Sequence, residues 1–243
     1  MKLNDVVIYE PSDVFVSIEK FRKEYGRCTC AMFDPWYNKG VGGVRDDYVE
    51  YTSEILNELA TIADHIYFWG FPEIIARFIQ LIPPSHNYNS WLTWFYKNNP
   101  SVIKGWRSAQ MTCLHISTPN AKMYPEHFLN ESQLKKQSEG KLRYMPGPSS
   151  VIEVPLNIGF IRRNEQTGHP AQKPEGVYNP LIKMVTKPGD IVFDPMCGSG
   201  TTGAVCMELN RRSILADINP EYVLITQKRL KAQKDKDSKN QNE

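Results

Sequence analysis

The sequence predicts an α/β fold: a doubly wound, mostly parallel sheet flanked by helices. Three observations carry this. Short apolar runs alternate with stretches of helical spacing, the signature of strand–helix–strand units. A glycine-rich turn, Gly198-Ser199-Gly200, joins an apolar run to a helical stretch. Composition is that of a globular chain, 41% hydrophobic and 23% charged, so a packed core is expected over 243 residues.

The elements follow in order. Residues 28–34, CTCAMFD, read as a short buried strand, ended by Pro35 because proline has no backbone donor. Cys28 and Cys30 alternate along it and are expected on one face. Residues 47–64 carry Val49, Ile55, Leu56, Leu59, Ile62 and Ala63 near helical spacing. His65–Phe71 and Ser90–Tyr96 read as strands. Between them Glu73–Leu81 reads as a helix stopped by Pro83 and Pro84.

The pattern then breaks. Residues 98–168 hold scattered polar and charged residues with Pro and Gly, and read as an insertion on the α/β core. Within it Met111–Ser117 looks like one more strand, and 126–150 like loop or short helix. The pattern returns with a helix over Tyr178–Thr186, a KPGD turn and a strand at Ile191–Phe193. A helix over Thr201–Leu209, a strand at Ser213–Ala216 and a helix over Glu221–Leu230 complete it. Arg211 and Arg212 are read as turn residues. From Lys231 the chain lacks large apolar residues, and 231–243 is expected to be disordered. The organisation is thus 1–97 and 169–230 as two halves of one core, an insertion at 98–168, and a tail.

Bulk properties narrow the function. A net charge of +2 neither demands nor excludes a polyanionic partner. No apolar leader and no uninterrupted membrane-length apolar run is present, and the five cysteines form no zinc-like pair of pairs, so reduced thiols, no metal and a cytoplasmic location are expected.

The stretch DIVFDPMCGSGTTGAVCMELNRRSILADINPEY, 190–222, is the most informative. Glycines let the backbone approach a ligand, and a helix N-terminus offers free backbone donors. Asp217 lies 17 residues beyond Gly200, at a strand end where an acid can hold a ribose diol. The turn lacks the lysine of a phosphate-binding loop and the full G-x-G-x-x-G of a dinucleotide fold. Asp194-Pro195 adds a carboxylate, which suits a cationic amino group and would repel a pyrophosphate. The ligand chemistry therefore leans to S-adenosylmethionine.

FDPMCGSGTT resembles the cofactor motif of the amino-group DNA methyltransferases, D-P-F-x-G-S-G-T-T, and DPWY at 34–37 resembles their catalytic motif, [DNS]-P-P-[YFW]. Residues 169–203 look like their joined motif X and motif I, and 96–117 is similar to a segment that follows the catalytic region. The catalytic motif precedes the cofactor motif, the β-class order. Residues 118–165 fall outside the resemblance. Trp36 departs from it, standing where the family carries proline, and Asp13 is the counterpart of an N-terminal Gly-Asp.

The resemblance implies methyl transfer from S-adenosylmethionine to adenine N6 in double-stranded DNA, with cytosine N4 as the nearest alternative. A non-catalytic methyltransferase-like subunit and an RNA-directed enzyme are the others. Asp34, Pro35 and Tyr37 are then catalytic, with Trp36 and Asn38 at the base pocket or behind it. Asp194, Pro195, Cys197, Gly198, Ser199, Gly200, Thr201 and Asp217 bind the cofactor, with His169 and Lys173 beside its methionyl end. Trp69 and Gly70 lie near its adenine or in the core. An exocyclic amine is a poor nucleophile because its lone pair is delocalised into the ring. Asp34 and the Pro35 carbonyl would accept its two hydrogens, Tyr37 would stack on the ring, and positioning would supply most of the acceleration. In a duplex the base must first leave the stack. Lys104, Arg107, Arg143, Arg162 and Arg163 are the candidate DNA contacts, and a homodimer would enlarge a short recognition surface.

Overall fold

One sheet organises the chain. The computed structural model describes residues 2–3, 5–39, 42–99, 102–103 and 105–240. The first elements are β1 (Lys2–Leu3), β2 (Val6–Ile8), α1 (Val14–Tyr25), β3 (Cys28–Phe33), α2 (Tyr48–Ile62), β4 (Ala63–Gly70) and α3 (Pro72–Ile75). A 3-10 helix (Ala76–Leu81), β5 (Asn87–Phe95), a hairpin of β6 (Val102–Ile103) and β7 (Trp106–Arg107), and β8 (Gln110–Ser117) follow. Then come a 3-10 helix (Pro125–Phe128), α4 (Glu131–Ser138), β9 (Val151–Glu153) and α5 (Glu175–Val185). The chain finishes with β10 (Ile191–Asp194), α6 (Thr201–Glu208), β11 (Arg212–Leu215) and α7 (Pro220–Asn240).

The strand order is β1-β2-β11-β10-β3-β4-β8-β5-β9. β2, β11, β10, β3 and β4 pair in parallel, as do β5 and β9; β8 runs antiparallel between β4 and β5, and β1 antiparallel to β2. Helices cover both faces, so the central strands read as continuous apolar runs. On one face Phe33, Ile66, Phe68 and Phe193 pack with Ile18 and Phe21 of α1 and Ile55, Leu56 and Leu59 of α2. On the other, Cys30, Met32, Tyr67 and Val192 pack with Val177, Leu181 and Ile182 of α5 and Val205 of α6. A smaller cluster joins Val6, Ile8 and Leu215 to Val223 and Leu230 of α7.

The order reverses between β3 and β10. From β3 the chain crosses through α2 to β4 on one side; from β10 it crosses through α6 to β11 on the other. Splayed connections leave a crevice at the carboxyl ends of such a strand pair, where open α/β sheets bind ligands. Asp34 follows β3 there, and the glycine turn follows β10.

Several expectations need correction. β8 sits inside the sheet with partners on both sides, so 98–168 is not one insertion but two excursions around a core strand. Glu73–Leu81 is mostly 3-10 rather than α. The tail expected to be disordered is helical through Asn240: Lys, Ala and Gln are good helix formers, and Gln233 Nε2 ties it to the Ala204 carbonyl at 3.1 Å. Residues 241–243 lie outside the described residues. Cys28 packs with the first cluster and Cys30 with the second, not together as alternation predicts; all five cysteines are free and buried. Arg212 opens β11 rather than a turn, and Arg211 is buried, donating to the Thr186 carbonyl at 2.8 Å near the end of α5. Residues 14–25 suggested no element from sequence, yet α1 shows ordinary signals: Asp13 accepts from the Phe15 amide at 2.9 Å, and Val14, Ile18 and Phe21 bury one stripe.

Candidate active site

Two adjoining cavities open at the switch point. The larger, about 460 Å³, is bounded by the end of β3, the glycine turn and Asp217 after β11. The second, about 390 Å³, is walled by Tyr37, Phe71, Trp94, Tyr96 and Met111, with Leu156–Ile158 and Gln166 opposite. Tyr37, His169 and Lys173 line both.

Asp34 stands between them in function. Its Oδ1 accepts from the Tyr37 hydroxyl at 3.0 Å; its Oδ2 accepts from the Lys173 ammonium at 2.5 Å and the Tyr178 hydroxyl at 3.3 Å. Lys173 Nζ also donates to the Tyr37 hydroxyl at 2.5 Å, and its side chain is 2% exposed against 15% for Asp34. Burial, then the Asp34 charge, pushes the Tyr37 and Tyr178 phenols well up, so both stay neutral donors. Oδ1 carries one hydrogen bond and keeps a lone pair for an incoming N–H. Lys173, expected beside the methionyl end of a cofactor, is thus held on the Asp34 carboxylate itself. Thr201 Oγ1 donates to the Lys173 carbonyl at 2.8 Å, tying the segment before α5 to the start of α6.

The glycine turn is built for close approach. Gly198 and Gly200 have φ of +49° and +75°. A Cβ on Gly200 would lie 2.8 Å from Thr226 Cγ2, and Thr226 Oγ1 donates to the Gly198 carbonyl at 2.9 Å. Asp217 Oδ2 accepts the Gly198 amide and Oδ1 the Asn219 amide, both at 2.9 Å. Burial raises the Asp217 carboxyl. Asp194 is committed elsewhere: Oδ2 takes the Thr202 hydroxyl at 2.5 Å and Oδ1 the Met196 amide at 3.2 Å, so it braces the turn as well as lining the cavity. Burial lifts it to about 7. Pro195, Cys197, Gly198, Ser199 and Thr201 line the larger cavity; Gly200 lies behind them as the N-cap of α6.

His169 Nε2 is buried without a partner, 3.0 Å from where a Gly198 Cβ would stand, and its ring packs edge-on against Tyr222 at 4.2 Å. Burial lowers it to about 4, so it is neutral at pH 7. Asp13 lines the same cavity with Val14 and Ile218.

Other expected residues lie elsewhere. Trp36 faces the larger cavity, not the second; its ring meets Tyr48 edge-on at 5.2 Å, and its carbonyl accepts the Tyr48 hydroxyl at 2.7 Å. It therefore packs against α2. Asn38, at φ +52°, closes the following loop by bonding both backbone groups of Arg45, at 2.7 and 3.0 Å, and lines neither cavity. Trp69 is buried, stacked on Tyr178 at 5.9 Å with the Lys173 ammonium 5.7 Å from its ring, and neither it nor Gly70 lines either cavity. Arg107, Arg143 and Arg163 are exposed; Arg162 is half-buried and bound to Glu165 at 3.3 Å; Lys104 lies outside the described residues.

Sequence reasoning missed Tyr178, Tyr222, Arg229 and Glu175. Arg229 donates to the Ser199 carbonyl and Thr201 Oγ1, each at 3.0 Å, and pairs with Glu175 at 2.7 Å. None carries a local signal; each acts through elements distant in sequence. Among the described residues no group of three or more His, Cys, Asp or Glu is arranged to hold a metal ion, and no helix is long and apolar enough to cross a membrane.

The family model described as DNA methylase, N6_N4_Mtase, matches residues 33–228, from the last residue of β3 into α7. The chain belongs to this N6-adenine and N4-cytosine DNA methylase family. Among DNA methylases it is 31% identical over 211 residues to the type II methyltransferase M.HpaI of Haemophilus parainfluenzae, covering 81% of this chain and 66% of that protein. It is 31% identical over 151 residues to the DNA adenine methyltransferase YhdJ of Escherichia coli, covering 57% and 51%. The chain thus spans about two thirds and about half of these relatives. The fold is shared with the M1.HpyAVI–SAM complex, at TM-score 0.71, 21% identity and coverage of 93% of this chain and 98% of that one. It is shared too with the cytosine-N4-specific PvuII DNA methyltransferase, at TM-score 0.67, 18% identity and coverage of 93% and 88%.

Methylases of this family depend on S-adenosylmethionine, and the larger cavity fits that group. Its volume is in the range of small-ligand sites. Asp217 keeps lone pairs beyond its two backbone bonds, and the unpartnered His169 nitrogen is a polar group awaiting a ligand.

Proposed function

We propose that this protein methylates the N6 amino group of adenine in duplex DNA. One observation supports it above the others: the Asp34 carboxylate is bonded to two residues, Tyr37 and Lys173, that wall both the glycine-turn cavity and the aromatic cavity. A methyl donor in the first and a planar base in the second would meet at that carboxylate. The DNA adenine methyltransferase YhdJ among the relatives, and aspartate in the first position of the catalytic motif, favour adenine.

Bound S-adenosylmethionine supplies an electrophilic methyl group on a sulfonium. Asp217 and the Gly198–Ser199 turn would hold its nucleoside end, Asp13 and Ile218 would flank its adenine, and His169 would face its methionyl end. Asp34 Oδ1 accepts one hydrogen of the target amine, and the Pro35 carbonyl accepts the other. Together they draw the nitrogen toward tetrahedral geometry and free its lone pair. Tyr37 and Phe71, in edge contact at 5.0 Å, present aromatic surface to the base. Lys173 holds the Asp34 carboxylate in place, so its acceptor geometry is set before the base arrives. Asp34 then takes the proton that the methylated amine sheds. Arg107, Arg143 and Arg163 are exposed and suited to phosphates, whereas Arg162 is committed to Glu165. A homodimer would add contact surface, and a strictly monomeric mass by light scattering, with and without DNA, rejects that part. The cytoplasm is where such an enzyme meets DNA and cofactor.

The test incubates purified protein with radiolabelled S-adenosylmethionine and unmodified genomic DNA, digests to nucleosides, and maps modified positions by single-molecule sequencing. Label in N6-methyldeoxyadenosine is expected. Label in N4-methyldeoxycytidine overturns the base, and no label with cofactor binding intact overturns the activity.

A further inference from the structure

We propose that Phe160 is a wedge that enters the base stack of duplex DNA beside the place the target base vacates. The inference rests on the DNA reading above. Phe160 is 91% exposed, the most exposed large apolar side chain described. Its loop is built to hold it out. Gln166 Nε2 donates to the carbonyls on either side of it, Gly159 at 3.1 Å and Ile161 at 2.9 Å. Gly159 takes φ +59°, and the Ile161 amide closes back on the Ile158 carbonyl at 3.1 Å. With Ile158 and Ile161, also exposed, the ring makes a contiguous apolar patch, and such a patch points to a partner that buries it.

The position identifies that partner. The residues that brace the loop also wall the aromatic cavity: Leu156, Asn157, Ile158 and Gln166 line it. Leu156 is pinned in turn by Asn98, which accepts its amide at 2.8 Å and donates to its carbonyl at 3.0 Å. The ring therefore stands at the rim of the cavity that would receive the extruded base. Charge agrees: Arg162 and Glu165 of this loop pair with each other, and Arg163 faces solvent as a cation suited to the phosphate backbone. Duplex-bending proteins insert such apolar side chains between base steps, and base extrusion leaves a gap that an aromatic ring can fill by stacking.

The experiment uses duplexes carrying the mapped recognition site, with adenine at the target position for the rates and 2-aminopurine there, which has no 6-amino group to methylate, for a fluorescence report of unstacking. Phe160→Ala is expected to lose about tenfold or more in kcat/KM on the matched duplex, the scale of one base–aromatic stack. The fluorescence rise on binding should be lost with it, while cofactor affinity by calorimetry stays unchanged. A mismatch opposite the target, which lowers the cost of extrusion, should restore most of the rate, and Phe160→Leu should keep most of it on the matched duplex. An undiminished rate and fluorescence rise in Phe160→Ala overturn the wedge. So does a loss of equal size on matched and mismatched duplexes, which would mark a structural role. A fall in particle mass by light scattering in the variant would make the ring a contact between copies and also overturns it. If the wild type labels no DNA, the DNA reading fails first and the wedge falls with it; if it labels DNA and Phe160→Ala extrudes the base normally, only the wedge fails.

Discussion

Replacing Lys173 with methionine removes a buried cation and shortens the unbranched side chain by one atom. The ammonium is 2% exposed and bonds the Asp34 carboxylate and the Tyr37 hydroxyl, each at 2.5 Å. Breaking a buried pair from one side costs about 3–5 kcal/mol, because the remaining charge is left uncompensated. Asp34 is 15% exposed and keeps two phenol donors, so the lower end applies, about 3 kcal/mol. At about 2–4 °C per kcal/mol for a chain of this size, the Tm should fall by about 6–12 °C. Asp34→Asn alone strands the lysine instead and should cost as much. The double variant Asp34→Asn/Lys173→Met carries no unpaired charge and should lie well above either single variant, with a coupling of about 2 kcal/mol or more. Thermal unfolding of the four proteins by circular dichroism at one pH measures this. A Lys173→Met protein within a degree of wild type, or a double variant whose loss is the sum of the singles, refutes the pair's role as a mutually dependent unit. The same argument governs Asp34→Ala: it strands a buried lysine, so lost transfer in that variant speaks for the carboxylate only once its folding is shown to be intact.

Three further outcomes are expected. Asp217→Ala should weaken S-adenosylmethionine binding by about tenfold or more, the scale of a lost charge-assisted hydrogen bond, whereas Asp34→Ala should retain binding and lose transfer; calorimetry showing the reverse exchanges the two halves of the site. Gly200→Ala should destabilise by about 2–3 kcal/mol in urea, since a side chain at its positive φ is strained and its Cβ displaces Thr226 from the Gly198 carbonyl; an unchanged midpoint would show that the turn tolerates a Cβ. Burial lowers His115 to about 3, so the folded state takes up its proton later than the unfolded state, and the stability it contributes is complete above about pH 6.5 and lost as pH falls. Asp194, raised to about 7, acts oppositely; in Asp194→Asn, stability should drop by about 2 kcal/mol between pH 7.5 and 5, more steeply than in wild type, and a flat profile there would contradict a neutral buried histidine.

The strands flanking the switch point were legible in sequence because β3 and β10 are buried on both faces and leave unbroken apolar runs, CTCAMF and IVF. The two motifs were legible because a glycine turn with an acid beyond it, and Asp-Pro before aromatics, are local devices whose chemistry depends on neighbours in the chain. Even so, Trp36 and Asn38 look alike as pocket residues beside Asp34, yet Trp36 lines the larger cavity with its ring against α2 while Asn38 only closes a loop on Arg45, since direction off a strand end is set by what packs there. Tertiary structure alone decided that β8 slots between β4 and β5, because antiparallel insertion depends on which sheet edge is free, and no local pattern states that. It alone decided that Lys173 reaches Asp34 across 139 residues of chain, making the charge the sequence offers to a cofactor a clamp on the carboxylate. Sequence fixes which chemistry the chain can bring to a site; the distances between strand ends fix which groups meet, because a hydrogen bond forms only within about 3 Å.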